Sequence, residues 1–324
     1  MPLSTPFRLS GRRAALCAAG ALLALGLAVS CRAQQSATVS GASSLKCDSF
    51  NSHVLGRSVN YCVDLPAGYD SQPAKRYPVL YYLHGLFENE QSWGEKGGKE
   101  ILDQLRAAGK VGNFIVVMPD GGHSFYINSY DGRDRYEDFF TQEFAPAMDR
   151  LYRTIPVPQE RAVSGTSMGG FGALHLAMRH ASLFGAGSAQ GAALIAKFPN
   201  PLPSEGRWAF YARILSGTFG SPLNESYWDA NSPLTLAQQP NKFEGLKLYF
   251  DCGDHDRYGF NAGAGLLDQI LTREGYPHQY VLRDGDHGWA YLEEYMQYDL
   301  EFHWKAFQTG LAAGKSQAVG KGGR

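Results

Sequence analysis

The spacing of apolar residues changes several times along the chain, and each change marks an element. Residues 45–66 read as two strands. In the second, Val59, Tyr61, Val63 and Leu65 recur at every other position, the period of a half-buried strand. Residues 77–84 (YPVLYYLH) are instead continuously apolar, as in a strand covered on both faces of a parallel sheet. Helical spacing follows over 98–108, then a second buried strand over 114–118 that ends at Pro119-Asp120-Gly121. Residues 136–152 form an amphipathic helix with Phe139, Phe140, Phe144, Met148 and Leu151 on one side. Farther on, strands are predicted just before Gly165, around Gly187, over 246–251 and over 280–282. Helices are predicted over 171–179, 263–273 and 289–307.

Strands that alternate with helices predict an α/β fold, a single doubly wound and mostly parallel sheet with helices on both faces. One stretch interrupts the alternation. Residues 199–240 are rich in Pro, Gly, Asn and Ser and carry Trp208, Phe210, Tyr211, Tyr227 and Trp228. They read as an insertion over one face, either a cap that shapes a cleft or a packed appendage away from it. No internal repeat is visible, so 45–308 is taken as one domain. The Gly-, Ala- and Lys-rich residues 309–324 are expected to be a flexible tail.

The N-terminus lies outside this pattern. Arg8, Arg12 and Arg13 precede an apolar run over 14–29 that is short for a membrane span, the layout of an export leader. The leader is expected to cover 1–33, with a polar linker over 34–44. Leu27-Ala28-Val29-Ser30-Cys31 matches a lipoprotein signal in which Cys31 becomes a lipidated first residue; cleavage nearby releases a soluble protein instead. The protein is thus expected to be periplasmic or secreted. Export makes the cysteines readable. Cys47 and Cys62 flank a turn-like stretch over 51–56 and can face each other as a disulfide, and Cys252 is left as a buried strand thiol. A net charge of −1 gives no electrostatic case for a nucleic-acid partner.

The chemistry centres on Gly165-Thr166-Ser167-Met168-Gly169. A serine on a sharp strand-to-helix turn needs nearly side-chain-free residues two before and two after it. Ser167 Oγ then stands exposed at the sheet edge, and the Met168 N–H points at an oxyanion forming beside it. A serine hydroxyl needs a base. His287, in Gly285-Asp286-His287-Gly288-Trp289 after the last strand, is placed to act as one; His255 is the other histidine that follows a late strand. The orienting acid falls in the segment Asp251-Cys-Gly-Asp254-His255-Asp256, and the residues alone leave Asp254 and Asp256 open. This cluster mimics metal ligands, but nothing else in the chain completes a site, and no metal is expected. A second oxyanion donor belongs on the loop after an early central strand, which makes it the Leu86 N–H in His84-Gly85-Leu86-Phe87. His84 itself is expected to hold that loop. Phe87, Tyr126, Asn128, Tyr130 and Trp289 are candidates to line a cleft for an aromatic acyl group.

Together, Leu83-His-Gly-Leu86, Met118-Pro-Asp-Gly-Gly122, Tyr136-Glu-Asp-Phe139, Val163-Ser-Gly-Thr-Ser-Met-Gly-Gly-Phe-Gly-Ala-Leu174 and Gly285-Asp-His-Gly-Trp289 resemble the esterase D group of α/β-hydrolases. That group includes S-formylglutathione hydrolases, feruloyl and acetyl-xylan esterases, and mycolyltransferases of the antigen 85 type. The resemblance spans about 45–307 and implies an eight- or nine-stranded core and no cofactor. It also implies an acid in a Gly-x-x-Asp pattern, here Gly253-Asp-His-Asp256, which selects Asp256. Ala189-Gln190-Gly191 departs from a Ser-Gly pair found in many relatives. The expectation is an exported serine carboxylesterase working through Ser167, His287 and Asp256, with feruloyl or acetyl esters of polysaccharide as substrates. An acyltransferase is the nearest rival. A non-catalytic binding protein on the same scaffold predicts a missing triad member, and a peptidase predicts a partner domain that the chain lacks.

Overall fold

A computed structural model describes residues 42–321. The expected leader over 1–33 and most of the linker over 34–44 lie outside the described residues. Eight strands form one sheet: β1 (Ser44–Ser52), β2 (Arg57–Leu65), β3 (Val79–Leu83), β4 (Ile115–Pro119), β5 (Arg161–Gly165), β6 (Ala186–Gln190), β7 (Lys247–Gly253) and β8 (Gln279–Arg283). Their spatial order is β1-β2-β4-β3-β5-β6-β7-β8. β1 and β2 pair antiparallel, β2 meets β4 antiparallel, and the strands from β4 to β8 run parallel.

The continuous apolar runs belong to the central strands, and both faces of each are used. On β3, Val79, Tyr81 and Leu83 enter one apolar layer while Leu80 and Tyr82 enter the other. On β4, Ile115 and Val117 divide from Val116 and Met118 in the same way. The helices Met168–Arg179 and Phe260–Arg273 supply the first layer. Gly98–Ala107 and the closing helix supply the second. The expected amphipathic helix is present as Tyr136–Asp138 and Ala145–Leu151, joined through a wider π turn over Phe139–Phe144. Phe139, Phe140, Phe144 and Met148 are buried, whereas Leu151 is exposed.

Cys47 and Cys62 are register partners on β1 and β2 and form a disulfide; Cys252 is free and buried. One boundary needs correction. The closing helix runs Trp289–Lys321, so the segment expected to be a flexible tail is helical as far as Lys321. Leu311, Ala312, Ala313, Lys315, Gln317 and Ala318 are good helix formers, set against Gly310, Gly314 and Gly320. No described helix is long and apolar enough to cross a membrane.

Candidate active site

β5 ends at Gly165 and the next helix begins at Met168, so Ser167 occupies the turn itself. Its backbone lies at φ 56°, ψ −116°, a conformation that costs a non-glycine residue on the order of 1–3 kcal/mol. Four backbone hydrogen bonds hold it there. Thr166 N–H donates to Leu83 O (3.2 Å) and Ser167 N–H to Gln190 O (3.1 Å), while Ser167 O accepts from Phe171 N–H (3.0 Å) and Ala193 N–H (2.9 Å). The turn is also tight. A Cβ at Gly169 would strike the carbonyls of Leu83 and His84, and one at Gly165 would strike that of Gly169. Met168 is the first helical residue, so its N–H has no intrahelical acceptor, and the residue lines the cavity that holds Ser167.

His287 follows β8 and stands beside Asp256, which follows β7. His287 Nδ1 and Asp256 Oδ2 are 2.7 Å apart, and the aspartate side chain is almost fully covered. Asp256 Oδ1 accepts Tyr258 N–H (2.9 Å) and, at longer range, Phe260 N–H (3.4 Å), so backbone donors fix the carboxylate plane. With Nδ1–H donated to Asp256, the lone pair of the neutral ring is on Nε2. Asp254, the alternative acid, accepts Gly285 N–H (3.1 Å) instead and so shapes the turn before His287. His255 is exposed beside Asp254. The ligand atoms of Asp254, His255 and Asp284 lie within 4.8 Å of one another, and none of the three lines the cavity that holds Ser167.

His84 is a scaffold residue. Its Nδ1 is 2.8 Å from Gly85 O, and its Nε2 accepts Gly121 N–H (2.8 Å), so one ring nitrogen is committed to the loop after β3 and the other to the loop after β4. That loop is a turn closed by Glu88 N–H to Gly85 O (3.2 Å). Glu88 then does more: Oε2 accepts Gly85 N–H (2.9 Å), and Oε1 accepts Trp289 Nε1–H (2.7 Å) and Lys96 Nζ (2.5 Å). Burial pushes this carboxyl up, but the bonds from Lys96, Gly85 and Trp289 outweigh it and hold it below the usual glutamate value.

Leu86, Met168, Ser167 and His287 all face one cavity of about 150 Å³. Of the five cleft candidates, Phe87 and Trp289 line it; the other three are elsewhere. Tyr126 is fully buried, and its hydroxyl donates to His84 O (3.1 Å). Asn128 Oδ1 accepts Asp138 N–H (3.1 Å), tying down the start of the helical segment after it. Tyr130 is half-exposed and packs edge-on against Tyr227. Most of the apolar wall was not anticipated residue by residue. Phe210, Tyr211, Ile214 and Leu215 come from the helix Gly206–Phe219, so the insertion is a cap on the site and not a remote appendage. Tyr258 and Phe260 follow Asp256, and both rings pack edge-on against His287. The aromatic enrichment of the insertion was the available signal for the first group; nothing local marked the second. A second hollow continues past Phe87 and Ile214 and is lined by His123, Ser129, Asp134 and Arg213.

Several known esterases resemble this chain. An endo-1,4-beta-xylanase/feruloyl esterase of Xylanibacter ruminicola is 35% identical over 143 residues, covering 42% of this chain and 20% of that protein. The chain therefore spans only a fifth of that relative's length. An acetyl esterase of Caldicellulosiruptor saccharolyticus is 27% identical over 231 residues, 69% of this chain and 82% of the relative. A solved ferulic acid esterase superposes with a TM-score of 0.70 at 29% identity, covering 82% of this chain and 99% of that one. Its likeness, with the eight-stranded sheet, identifies the α/β-hydrolase fold. The profile of putative esterases matches residues 52–303, most of the chain, and the chain belongs to that family.

Proposed function

We propose that the protein is an exported serine carboxylesterase that works through an acyl-enzyme on Ser167. One observation carries the reading: a strained elbow serine shares a cavity with a histidine held in one tautomer by a buried aspartate, at 2.7 Å. As Ser167 Oγ attacks the ester carbonyl, its proton passes to His287 Nε2, and Asp256 stabilises the imidazolium. The carbonyl oxygen becomes an oxyanion facing the N–H groups of Leu86 and Met168. Collapse of the tetrahedral intermediate breaks the bond to the alkoxy oxygen, which leaves with the proton from His287. Water, deprotonated by the same nitrogen, then attacks the acyl-enzyme, and the acid departs as Ser167 regains its proton.

The cavity supports a small or aromatic acyl group. Its volume is that of a space known to accept a single ring when lined by apolar side chains. Phe125, Phe210, Tyr211, Tyr258 and Phe260 supply aromatic rings to the wall. The polar hollow beyond Phe87 supports a hydroxylated alcohol portion, as in polysaccharide-linked feruloyl or acetyl esters. The leader-like residues 1–33 support export, with Cys31 as a lipidation point.

The test is hydrolysis of nitrophenyl acetate, butyrate and octanoate and of methyl ferulate by the mature protein and its Ser167→Ala variant. Turnover lost in Ser167→Ala is the expected result. Equal turnover by both proteins would remove Ser167 as the nucleophile. Inert wild-type protein would favour transfer to an alcohol acceptor or a binding role.

A further inference from the structure

The cavity assembles from loops far apart in sequence, and one side chain touches two of them. Glu88 follows Leu86 by two residues and ties its own loop through Gly85 N–H to Oε2 (2.9 Å). Its other oxygen accepts the indole N–H of Trp289 at 2.7 Å, across 201 residues of sequence. Trp289 begins the closing helix two residues after His287. Gly85 in turn lies against the nucleophile: a Cβ built on it would be 3.6 Å from Ser167 Cβ. The loop cannot shift without changing the separation of the Leu86 N–H from Ser167.

We propose that Glu88 is a positioning residue that locks the loop bearing the Leu86 oxyanion donor to the loop bearing the base His287, with Lys96 neutralising its charge. This rests on the esterase reading above. Two features set Glu88 apart from an ordinary loop carboxylate. First, the two anchoring donors go to different oxygens, so both acceptors are required. A glutamine has one acceptor oxygen and turns an N–H₂ toward the second donor; an aspartate is one methylene short. Second, a carboxylate lining the cavity would oppose a developing oxyanion unless its charge were compensated. Lys96 Nζ is bonded to Oε1 at 2.5 Å and sits 5.5 Å above the Trp289 ring, so the compensating cation is part of the same clamp.

An oxyanion donor aimed at the transition state acts on kcat, because the ground-state carbonyl gains little from it. Losing such a donor outright costs about 10²–10³ in rate, and displacing it should cost part of that. The experiment measures kcat and KM on nitrophenyl acetate for wild type, Glu88→Gln, Trp289→Phe and the double variant, with Ser167→Ala alongside. We expect Glu88→Gln to lower kcat roughly 10- to 100-fold with KM changed less than about threefold. Trp289→Phe should lower kcat less, and the double variant should be no slower than Glu88→Gln, since the two share one bond. Multiplicative losses in the double variant, a rise in KM at unchanged kcat, or a kcat near wild type in Glu88→Gln would each overturn the proposal. If Glu88→Gln does not fold, Trp289→Phe decides alone: wild-type kcat would refute the clamp. Wild-type turnover that survives Ser167→Ala would instead overturn the esterase reading.

Discussion

Replacing Asp256 with asparagine tests the orientation of the base, and the structure fixes the direction of the effect. Asp256 Oδ1 is held by Tyr258 N–H at 2.9 Å, so the asparagine carbonyl oxygen must take that position. Its amide N–H₂ then occupies the place of Oδ2, 2.7 Å from His287 Nδ1. A donor there reverses the tautomer: Nδ1 becomes the acceptor and Nε2 keeps the proton. The base is disabled while the shape of the site is preserved. Stabilisation of the imidazolium is lost as well. In triads of this geometry, that change lowers kcat by about 10⁴, or roughly 5 kcal/mol of transition-state stabilisation. The assay is kcat on nitrophenyl acetate at neutral pH, with Asp254→Asn as the control. The Asp254 carboxylate accepts the Gly285 N–H and does not meet His287, so its variant should lose less than about tenfold. A loss below tenfold in Asp256→Asn, or equal losses in the two variants, would refute the assignment.

Two further outcomes are expected. Phe210 contributes to the cavity wall from the insertion, so Phe210→Ala should shift the kcat/KM ratio of nitrophenyl octanoate to acetate upward by roughly tenfold or more; an unchanged ratio would place the acyl chain elsewhere. Glu160 is buried with Oε2 unpartnered, and burial pushes its carboxyl up to about 7, partly countered by Lys247. Between the usual carboxyl value and about 7, the native state keeps a proton that the unfolded chain has released, so stability from this group falls as pH rises through that window. Glu160→Gln removes this penalty and should raise the melting midpoint at pH 8 while leaving it nearly unchanged at pH 4.5. An equal change at both pH values would show that the carboxyl does not titrate as described.

Short-range physics made much of this protein legible from its residues. The side-chain-free positions around Ser167 follow from local sterics, and the period of apolar residues follows from which faces of a strand are covered. Both constraints act within a few residues, so the elbow, the buried strands and the position of His287 after the last strand were evident in the chain. Met168 adjoins the nucleophile in the chain, whereas Leu86 was expected from the usual place of a second oxyanion donor after an early strand, and only the fold brings it into the cavity of Ser167. Short-range physics left Asp254 and Asp256 open, since two carboxylates in one turn differ only in direction. That direction is set by which backbone N–H groups each meets: Tyr258 for Asp256 and Gly285 for Asp254. Tyr126, Asn128 and Tyr130 read as cleft residues by their type, yet each is engaged elsewhere, because exposure is decided by distant packing. The cavity wall from Phe210 to Leu215 and the Glu88–Trp289 bond depend on segments that meet only when the sheet is wound and the insertion folds back over it. A sequence carries the local cost of each conformation; which side chains then share a cavity is a sum over long-range contacts, and only the tertiary structure decides it.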